Sequence, residues 1–410
     1  MVLMTLRRAG VLACAVIVVL WFAGCGDYFR PVANPILQPG GDPQRTQHVV
    51  AIADNGGNPG SVSTLDISGD TNVGTVSVGR MPVHGALVGG ATVVANSSDG
   101  TVALYSTLVP QTVPLFVTLQ AGATPMFVAS TETSTAYVVE TGLNAVAAVS
   151  IASDSVLADI PVGANPVAAV ETLDTKKVYA VNRDDNTVTP IATIDKSALP
   201  VVAVGNSPVY AVATSDSTLV FVVNQGSNSV SVISTTTDTH AVPDITVGAS
   251  PNYAFYDRTL KRVYVTNQAG NSLSIIDAST STPSLIATIP ETGACTGTGP
   301  VAVTAIADGS RVYVANHDSN NVCVLSTTNN SFLRSVTVGT APVSIQAAAD
   351  GSKVFVANSM SSSVSDIRTT DDTVVATIPM PQQDPACTNP APPAAPTCAL
   401  QAPVFLVVAP

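Results

Sequence analysis

A six-residue pattern recurs at a nearly constant interval along most of the chain. Its clearest copies are residues 177–182, 219–224, 262–267, 311–316 and 353–358, each with an aromatic residue at its third position and Asn at its end. Weaker copies end at Asp54, Asn96 and Glu140, and successive copies lie 42 to 49 residues apart. Self-similarity at about 40–45 residues is typical of a propeller blade or a solenoid unit. The chain is therefore expected to be a repeat protein.

Each repeat contains four short runs of alternating residues separated by turn residues. In one repeat these runs are residues 301–307, 311–316, 321–326 and 332–338. Charged residues make up only 11% of the chain, against a usual share of about 25%, which argues against a coiled coil, a helical bundle or a disordered acidic chain. Four antiparallel strands per repeat, without a helical period, predict an all-β fold, a β-propeller of four-stranded blades.

The number of blades follows from the prolines that open the first strand of each repeat. They are Pro82, Pro125, Pro166, Pro208, Pro251, Pro300 and Pro342. The repeat that ends at Asp54 has no such strand before it, whereas residues 403–409 near the C-terminus match the pattern of residues 342–348. We therefore predict eight blades, with the C-terminal strand completing the first blade and closing the ring. Seven blades is the alternative if one weak repeat is irregular.

Several segments resemble the YVTN repeat family, to which YncE-like propeller proteins belong. Arg262-Val-Tyr-Val-Thr-Asn267 carries the motif that names the family, and Ala307–Arg311 resembles its Pro-Asp-Gly-Lys turn. Residues 228–233 and 285–290 resemble its third and fourth strands. The resemblance covers residues 48–379 and implies a propeller. It implies no single activity, because such repeats occur in surface scaffolds, binding modules and some enzymes.

The N-terminus has the features of an export signal. Arg7 and Arg8 precede an apolar run at residues 9–22, which is too short for a membrane-spanning helix of about 20 residues. The run ends in Phe22-Ala-Gly-Cys25, which resembles the lipobox of bacterial lipoproteins, although Phe22 stands where Leu is usual. The resemblance implies that Cys25 is lipidated; an ordinary cleaved signal is the alternative.

The expected organisation follows from these segments. Residues 1–24 are a lipoprotein signal peptide, and residues 25–46 are the lipidated Cys25 and a flexible tether. Residues 47–410 are a single propeller domain, with a Pro-rich loop at 380–402 and the closing strand at 403–409.

Charge and cysteine content restrict the partners and the compartment. Without residues 1–24 the chain keeps 14 basic and 28 acidic residues, a net charge of −14 that argues against nucleic-acid binding. Four cysteines then remain besides Cys25, which in an oxidising compartment suggests two disulfides. Cys387 and Cys398 flank the Pro-rich loop and are the natural local pair, which leaves Cys295 with Cys323, although three pairings are possible.

Half of those 14 basic residues share one kind of turn, between the first and second strands of a blade. We expect them to form an exposed ring of mixed charge that contributes little to stability. They are Lys176, Lys177, Arg258, Lys261, Arg262, Arg311 and Lys353.

Groups suited to metal binding or catalysis are sparse. The chain has four histidines, which argues against a His-built metal site, and we expect no cofactor. Asp184, Asp185 and Asp318 lie in acidic hairpins and are weak calcium candidates, with a solvated turn as the preferred interpretation. Glu140 and Glu171 leave a lactonase-like site open, with Glu140 on the loop face and Glu171 near the channel.

Other recurring residues are expected to be structural. The aromatic residue of each second strand should pack between blades. The strand-ending Asn residues should bond backbone groups in the following hairpin, and the Asn four residues later should adopt a left-handed conformation.

The residue two positions after each proline should lie near the mouth of the central tunnel. Around the ring these residues are His84, Phe127, Ala168, Tyr210, Tyr253, Ala302, Ser344 and Phe405. Four of the eight are aromatic and one is His, in a chain with only 5% aromatic residues. This composition predicts a binding surface formed by His84, Phe127, Tyr210, Tyr253 and Phe405. The alternative is that these rings merely plug the centre of the propeller.

These observations favour a binding or scaffold role over an enzymatic one. We expect a monomeric protein, lipid-anchored in the cell envelope at the outer membrane or the periplasmic face, which binds an envelope protein, a glycan or a small ligand through its loop face. The alternative is a periplasmic propeller enzyme, lactonase-like or linked to a quinone cofactor.

Overall fold

Alternating runs rich in Val, Ala, Ser and Thr form short antiparallel strands, as β-branched residues favour. The computed structural model describes residues 48–68, 70–106, 113–131, 134–381 and 400–409. These residues form eight four-stranded sheets arranged as the blades of a β-propeller, so the predicted fold class and the count of eight are confirmed. The predicted signal, Cys25, the tether and the Cys387–Cys398 pair lie outside the described residues. No helix in the described ranges is long and apolar enough to span a membrane.

The innermost strand of each blade begins at a proline, except in the first blade. In blades 2 to 8 and then blade 1, the innermost strands are β4 (Pro82–Val88), β8 (Pro125–Ala129), β12 (Pro166–Glu171), β17 (Pro208–Ala213), β21 (Pro251–Asp257), β25 (Pro300–Ala305), β29 (Pro342–Ala347) and β33 (Ala402–Ala409).

The second and third strands of each blade hold the repeated motif and its hairpin partner. From blade 1 to blade 8 the second strands are β1 (His48–Asn55), β5 (Ala91–Asn96), β9 (Thr135–Glu140), β13 (Lys177–Asn182), β18 (Leu219–Asn224), β22 (Arg262–Asn267), β26 (Arg311–Asn316) and β30 (Lys353–Asn358). The third strands are β2 (Asn58–Asp66), β6 (Thr101–Ser106), β10 (Ala145–Ser150), β14 (Thr187–Ala192), β19 (Ser229–Ser234), β23 (Ser272–Asp277), β27 (Asn321–Ser326) and β31 (Ser363–Arg368).

The outer strands are less regular than the inner ones. They are β3 (Thr71–Arg80), β7 (Leu115–Thr118), β11 (Ser155–Pro161), the split pair β15 (Ser197–Ala198) and β16 (Val202–Ala203), β20 (Thr239–Thr246), β24 (Ser284–Pro290), β28 (Ser331–Thr337) and β32 (Thr373–Pro379). A short 3-10 turn, Thr141–Leu143, follows β9.

The C-terminal strand closes the ring as predicted. β33 pairs antiparallel with β1 and becomes the innermost strand of blade 1. Within this pair Pro403 lies opposite Ala53. Ala53 is therefore the residue of blade 1 that corresponds to the strand-ending Asn of other blades. The sequence pattern had indicated Asp54 at this position. Leu406 is fully buried and packs with Phe355 of blade 8, which joins the last blade to the first.

The disulfide predicted between Cys295 and Cys323 is present. It joins the long connection between blades 6 and 7 to β27. Cys323 of β27 lies where several other blades have a Ser or Thr whose hydroxyl bonds the strand-ending Asn. Both cysteines are fully buried.

Each strand-ending Asn makes a polar contact inside its blade. Asn224, for example, donates to the hydroxyls of Ser229 and Ser231 at 3.2 and 2.9 Å. Its side chain lies directly against Gly205 of the preceding blade, where a Cβ atom would come within 2.6 Å of the Asn amide. The main partners are thus hydroxyl groups of the third strand, where the sequence analysis expected backbone groups of the hairpin.

The same Asn and Gly arrangement recurs at five other blade junctions. The pairs are Asn96 with Gly79, Asn182 with Gly163, Asn267 with Gly248, Asn316 with Gly297 and Asn358 with Gly339. The repeated glycine is a requirement that was not predicted, although a Val-Gly pair three residues before five of the seven prolines signals it.

A second asparagine, four residues later, ties the hairpins of five blades to the next blade. Asn228 has a φ of 53°, as predicted for a left-handed turn residue. Its Oδ1 accepts the backbone N–H of Ser250, the residue before Pro251, at 2.7 Å. Equivalent bonds are made by Asn144, Asn186, Asn271 and Asn320.

The aromatic residues of six second strands pack between blades, as predicted. Tyr179, Phe221, Tyr264, Tyr313 and Phe355 are fully buried, and Tyr137 is 2% exposed. Two hydroxyls in this set also bond the neighbouring blade, since Tyr179 donates to Asp238 and Tyr313 donates to Asp372.

Several basic turn residues are less exposed than the sequence suggested. Lys177, Arg311 and Lys353 each reach the hairpin between the outer two strands of the next blade. Lys353 spans the junction between blades 8 and 1, where it pairs with Asp70 and, at 2.9 Å, with the fully buried Asp366. The expectation of a weak, exposed ring of charge is wrong for these three residues, because each lies in the groove between two blades.

Removing the cation at this junction should destabilise the propeller. Lys353→Met would leave the buried Asp366 without its counter-ion, which typically costs about 3 kcal/mol or more. Chemical denaturation would measure the change in unfolding free energy. Lys176→Met is the control, because the Lys176 side chain is 78% exposed and should contribute less than about 0.5 kcal/mol. Equal effects of the two substitutions would contradict the account.

Candidate functional site

The five ring side chains predicted as a binding surface meet in the central channel. His84 stacks on Phe127 with ring centroids 3.8 Å apart, and Phe405 lies 4.1 Å from His84 on its other side. Tyr210 contacts Phe127 edge-on at 5.9 Å and Tyr253 at 4.5 Å. We call these five residues, contributed by blades 1, 2, 3, 5 and 6, the ring cluster.

A bulge after each proline places these side chains. In β17, Pro208 lies opposite Asn224 and Tyr210 lies opposite Val223, so Val209 is an extra residue on the inner strand. The same shift separates Pro82 from His84, and in β33 it separates Pro403 from Phe405. Bulges bend a strand and redirect its side chains, which brings residues of different blades together at one level of the channel.

The imidazole of His84 is part of the packing and carries no charge. Burial lowers its pKa to about 3. Its Nδ1 accepts the backbone N–H of Val128 from the next blade at 3.2 Å, so the remaining proton lies on Nε2. Burial also raises the pKa of both Tyr210 and Tyr253, so their hydroxyls stay protonated at neutral pH.

A cavity of about 430 Å³ extends along the channel from the ring cluster. Its walls are the inner strands of the blades, and at its far end lie Thr131, Glu171, Leu173, Ser215 and Arg258, at the ends of those strands or in the turns that follow them. Leu173 is 55% exposed, and Ser215 and Arg258 are also exposed. The cavity, which we call the central cavity, therefore opens on the face of the turns between first and second strands.

This geometry corrects the predicted position of the mouth. The spacing from the prolines predicted the mouth on the face where the chain enters the inner strands, beside the ring residues. The ring cluster instead forms the inner end of the central cavity, because the rings of five inner strands contact one another across the channel at that level. The five residues line the cavity as its floor, and the opening lies on the opposite face.

Glu171 is the carboxyl in the wall of the central cavity, near the channel as predicted. It is only 5% exposed, and its Oε2 accepts hydrogen bonds from the Thr131 amide at 2.7 Å and the Thr131 hydroxyl at 3.0 Å. Burial raises the pKa of Glu171, and the two bonds from Thr131 oppose part of that rise. The carboxyl is therefore fixed in position by a neighbouring blade.

Glu140 does not join Glu171. It ends β9 at the other end of its blade, where six other blades have Asn, and it is fully buried. Ala145 and Ala147 occupy the positions where other blades place hydroxyls, and neither carboxyl oxygen of Glu140 has a hydrogen-bond partner. Burial, and secondarily Asp159, raise the pKa of Glu140 to about 7.

The three calcium candidates are parts of hairpins. Asp184 accepts a hydrogen bond from the Asn165 side chain at 3.0 Å, and Asp185 accepts one from the Ala164 amide at 2.6 Å. Asp318 lies 2.7 Å from His317. Within the described ranges, no group of three or more His, Cys, Asp or Glu side chains is placed to hold a metal ion.

Comparisons with known proteins identify the architecture. The dihydro-heme d1 dehydrogenase NirN in complex with DHE matches with a TM-score of 0.67 and 13% identity, over 85% of this chain and 75% of that chain. AztD from Citrobacter koseri matches at 0.62 and 12% identity, over 89% and 98% of the two chains. A candidate 6-phosphogluconolactonase from Bacteroides fragilis NCTC 9343 matches at 0.57 and 12% identity, over 90% and 100%.

At these identities the likeness shows the propeller fold alone, since one fold carries many functions. No protein-family model and no curated protein matches the chain.

The buried acid of blade 3 predicts a pH-dependent stability. Because the pKa of Glu140 is raised in the folded state, its contribution to stability is present at acidic pH and is lost as the pH rises toward and past about 7. Glu140→Gln should therefore raise the unfolding free energy at pH 8 by roughly 1–3 kcal/mol, with little effect at pH 5. Denaturation at both pH values measures this, and a variant equally or less stable at pH 8 would contradict it.

Proposed function

We propose that this chain is a lipid-anchored binding protein of the cell envelope that holds a small ligand in its central cavity. The observation that carries the proposal is the central cavity itself, which has aromatic rings at its inner end and one fixed carboxyl in its wall. Mostly apolar concave sites with a few positioned polar groups are the usual form of small-ligand sites.

Two further observations support the compartment. Residues 7–25 have the order of a basic segment, an apolar segment and a lipobox-like Cys25. The buried disulfide between Cys295 and Cys323 suits an oxidising compartment such as the periplasm or the cell surface. The resemblance to YVTN repeats agrees with an exported propeller.

The arrangement of acids favours binding over the lactonase-like alternative. Glu171 lines the central cavity, whereas Glu140 lies at the opposite end of its blade and does not line it. General acid–base catalysis requires groups that reach the same substrate. Among the described lining residues the one lysine or arginine is Arg258, an exposed side chain in the turn after β21, which is a sparse arrangement for a phosphorylated substrate.

The proposal is tested by recovering the ligand from the native envelope. Wild-type protein purified from membranes should retain a small molecule detectable by mass spectrometry. Ala213→Trp should lose it, because Ala213 lines the central cavity and an indole there would fill much of its volume. Ala198→Trp is the matched control, since Ala198 is exposed on the outer strand β15.

Mass spectrometry of the same preparations tests the anchor, with Cys25→Ser expected to lose the lipid. Wild-type protein that carries neither lipid nor ligand, or Ala213→Trp protein that keeps the ligand, would contradict the proposal.

A further inference from the structure

Rings and one carboxyl dominate the chemistry of the central cavity. Seven of the described lining residues carry an aromatic or imidazole ring: the ring cluster, Phe255 and Tyr256. Glu171 is the carboxylate among the described lining residues, and Arg258 is the permanently charged base. Both lie at the outer end of the cavity, but they differ in exposure, because Glu171 is 5% exposed and bonded to Thr131, whereas Arg258 is exposed.

Apart from Arg258, the described lining residues therefore include no positively charged side chain. His84 is neutral because burial lowers its pKa to about 3, and it already accepts a bond from the Val128 amide. The faces of aromatic rings are electron-rich and attract cations that have been stripped of water. A buried carboxyl adds a full negative charge when a cation lies beside it, since an opposite charge favours its ionised form.

We propose that the central cavity binds an organic cation, a substituted ammonium group attached to an apolar body. Glu171, at the outer end of the cavity, is the counter-ion of the ammonium group, and the ring cluster at the inner end is the floor beneath the apolar body. This inference rests on the proposed function and names the chemical class of its ligand. A substituted ammonium is weakly hydrated and matches ring faces better than a metal ion or a strongly hydrated amine. The acidic protein, with a net charge of −12 before processing, also attracts cations over anions.

Three probes of nearly identical shape separate the effect of the ligand's charge from the effect of its shape. They are choline, its neutral isostere 3,3-dimethylbutan-1-ol and the anion 3,3-dimethylbutanoate. Calorimetry or ligand-observed NMR on the mature wild-type protein should show choline binding about tenfold or more tighter than the neutral isostere, with the anion weakest. Ala213→Trp should abolish binding of every probe that enters the cavity.

The Glu171→Gln variant tests whether Glu171 is the counter-ion of the bound cation. The Gln oxygen can still accept the bonds from Thr131, so the fold should be retained, while choline binding should weaken about tenfold and binding of the neutral probe should not change. Glu140→Gln is the matched control, because it makes the same chemical change outside the central cavity. If Glu171→Gln protein does not fold, the comparison of the three probes on wild-type protein still decides the charge preference.

The outcomes separate this inference from the proposed function. If the neutral probe or the anion binds as tightly as choline, the cavity remains a ligand site but the cation assignment is wrong. If choline does not bind, or binds equally to Ala213→Trp protein, the cation assignment is also wrong. The proposed function fails separately, when protein from the native envelope carries no ligand that Ala213→Trp protein loses.

Discussion

The pairing of β33 with β1 is the constraint on which the rest of the molecule depends. Strands from the two ends of the domain form one sheet, so the propeller exists as a ring only when these backbone hydrogen bonds are made. An unpaired β1 would expose a strand edge, which is a site for aggregation. The same strand supplies Phe405 to the ring cluster, so closing the ring also completes the floor of the central cavity. Lys353 and Asp70 reinforce this junction on its periphery.

The contacts of the strand-ending Asn repeat in most blades, and blades 3 and 7 depart from this pattern. Most second strands end in an Asn that donates to hydroxyls of the third strand and lies against a glycine of the preceding blade. Blade 3 replaces the Asn by Glu140 and loses the hydroxyls, which leaves an unpaired buried acid. Blade 7 keeps Asn316 but places Cys323 at the hydroxyl position, where the disulfide joins it to the preceding connection. These two blades therefore differ from the others in chemistry while keeping the same strands.

The fold could be predicted from the sequence because the same residues recur in each blade at a nearly constant interval. The prolines from Pro82 to Pro342 each open an innermost strand, and the second-strand aromatics are buried between blades as predicted. The repeat near Asp54 was misaligned by one residue, because blade 1 has Ala53 where other blades have the Asn that pairs with the proline, and only the pairing of Ala53 with Pro403 fixes the alignment. Contacts between blades, such as Lys353 with Asp70, could not be predicted, since no local pattern shows which side chains share a groove.

The residues of the ring cluster were selected from the sequence, whereas the direction in which the cavity opens was not predicted, and the role of these residues in binding stays a prediction. The spacing from each proline identified the ring cluster, and the bulges explain why these side chains meet. Which face the cavity opens on depends on how fully five rings fill the channel, and that is a property of packing between blades. Glu171 was predicted near the channel, but its fixed position depends on Thr131 of a neighbouring blade.

Hydrogen exchange of the backbone amides in the closing strand tests the central claim most directly. If the ring is closed as described, the paired amides of β33 should exchange as slowly as those of β1, with both strands released only in the global unfolding of the domain. Amides of β33 that exchange within seconds while β1 stays protected would show that the C-terminal segment is not part of blade 1. That result would contradict both the closed ring and the cavity floor that depends on Phe405.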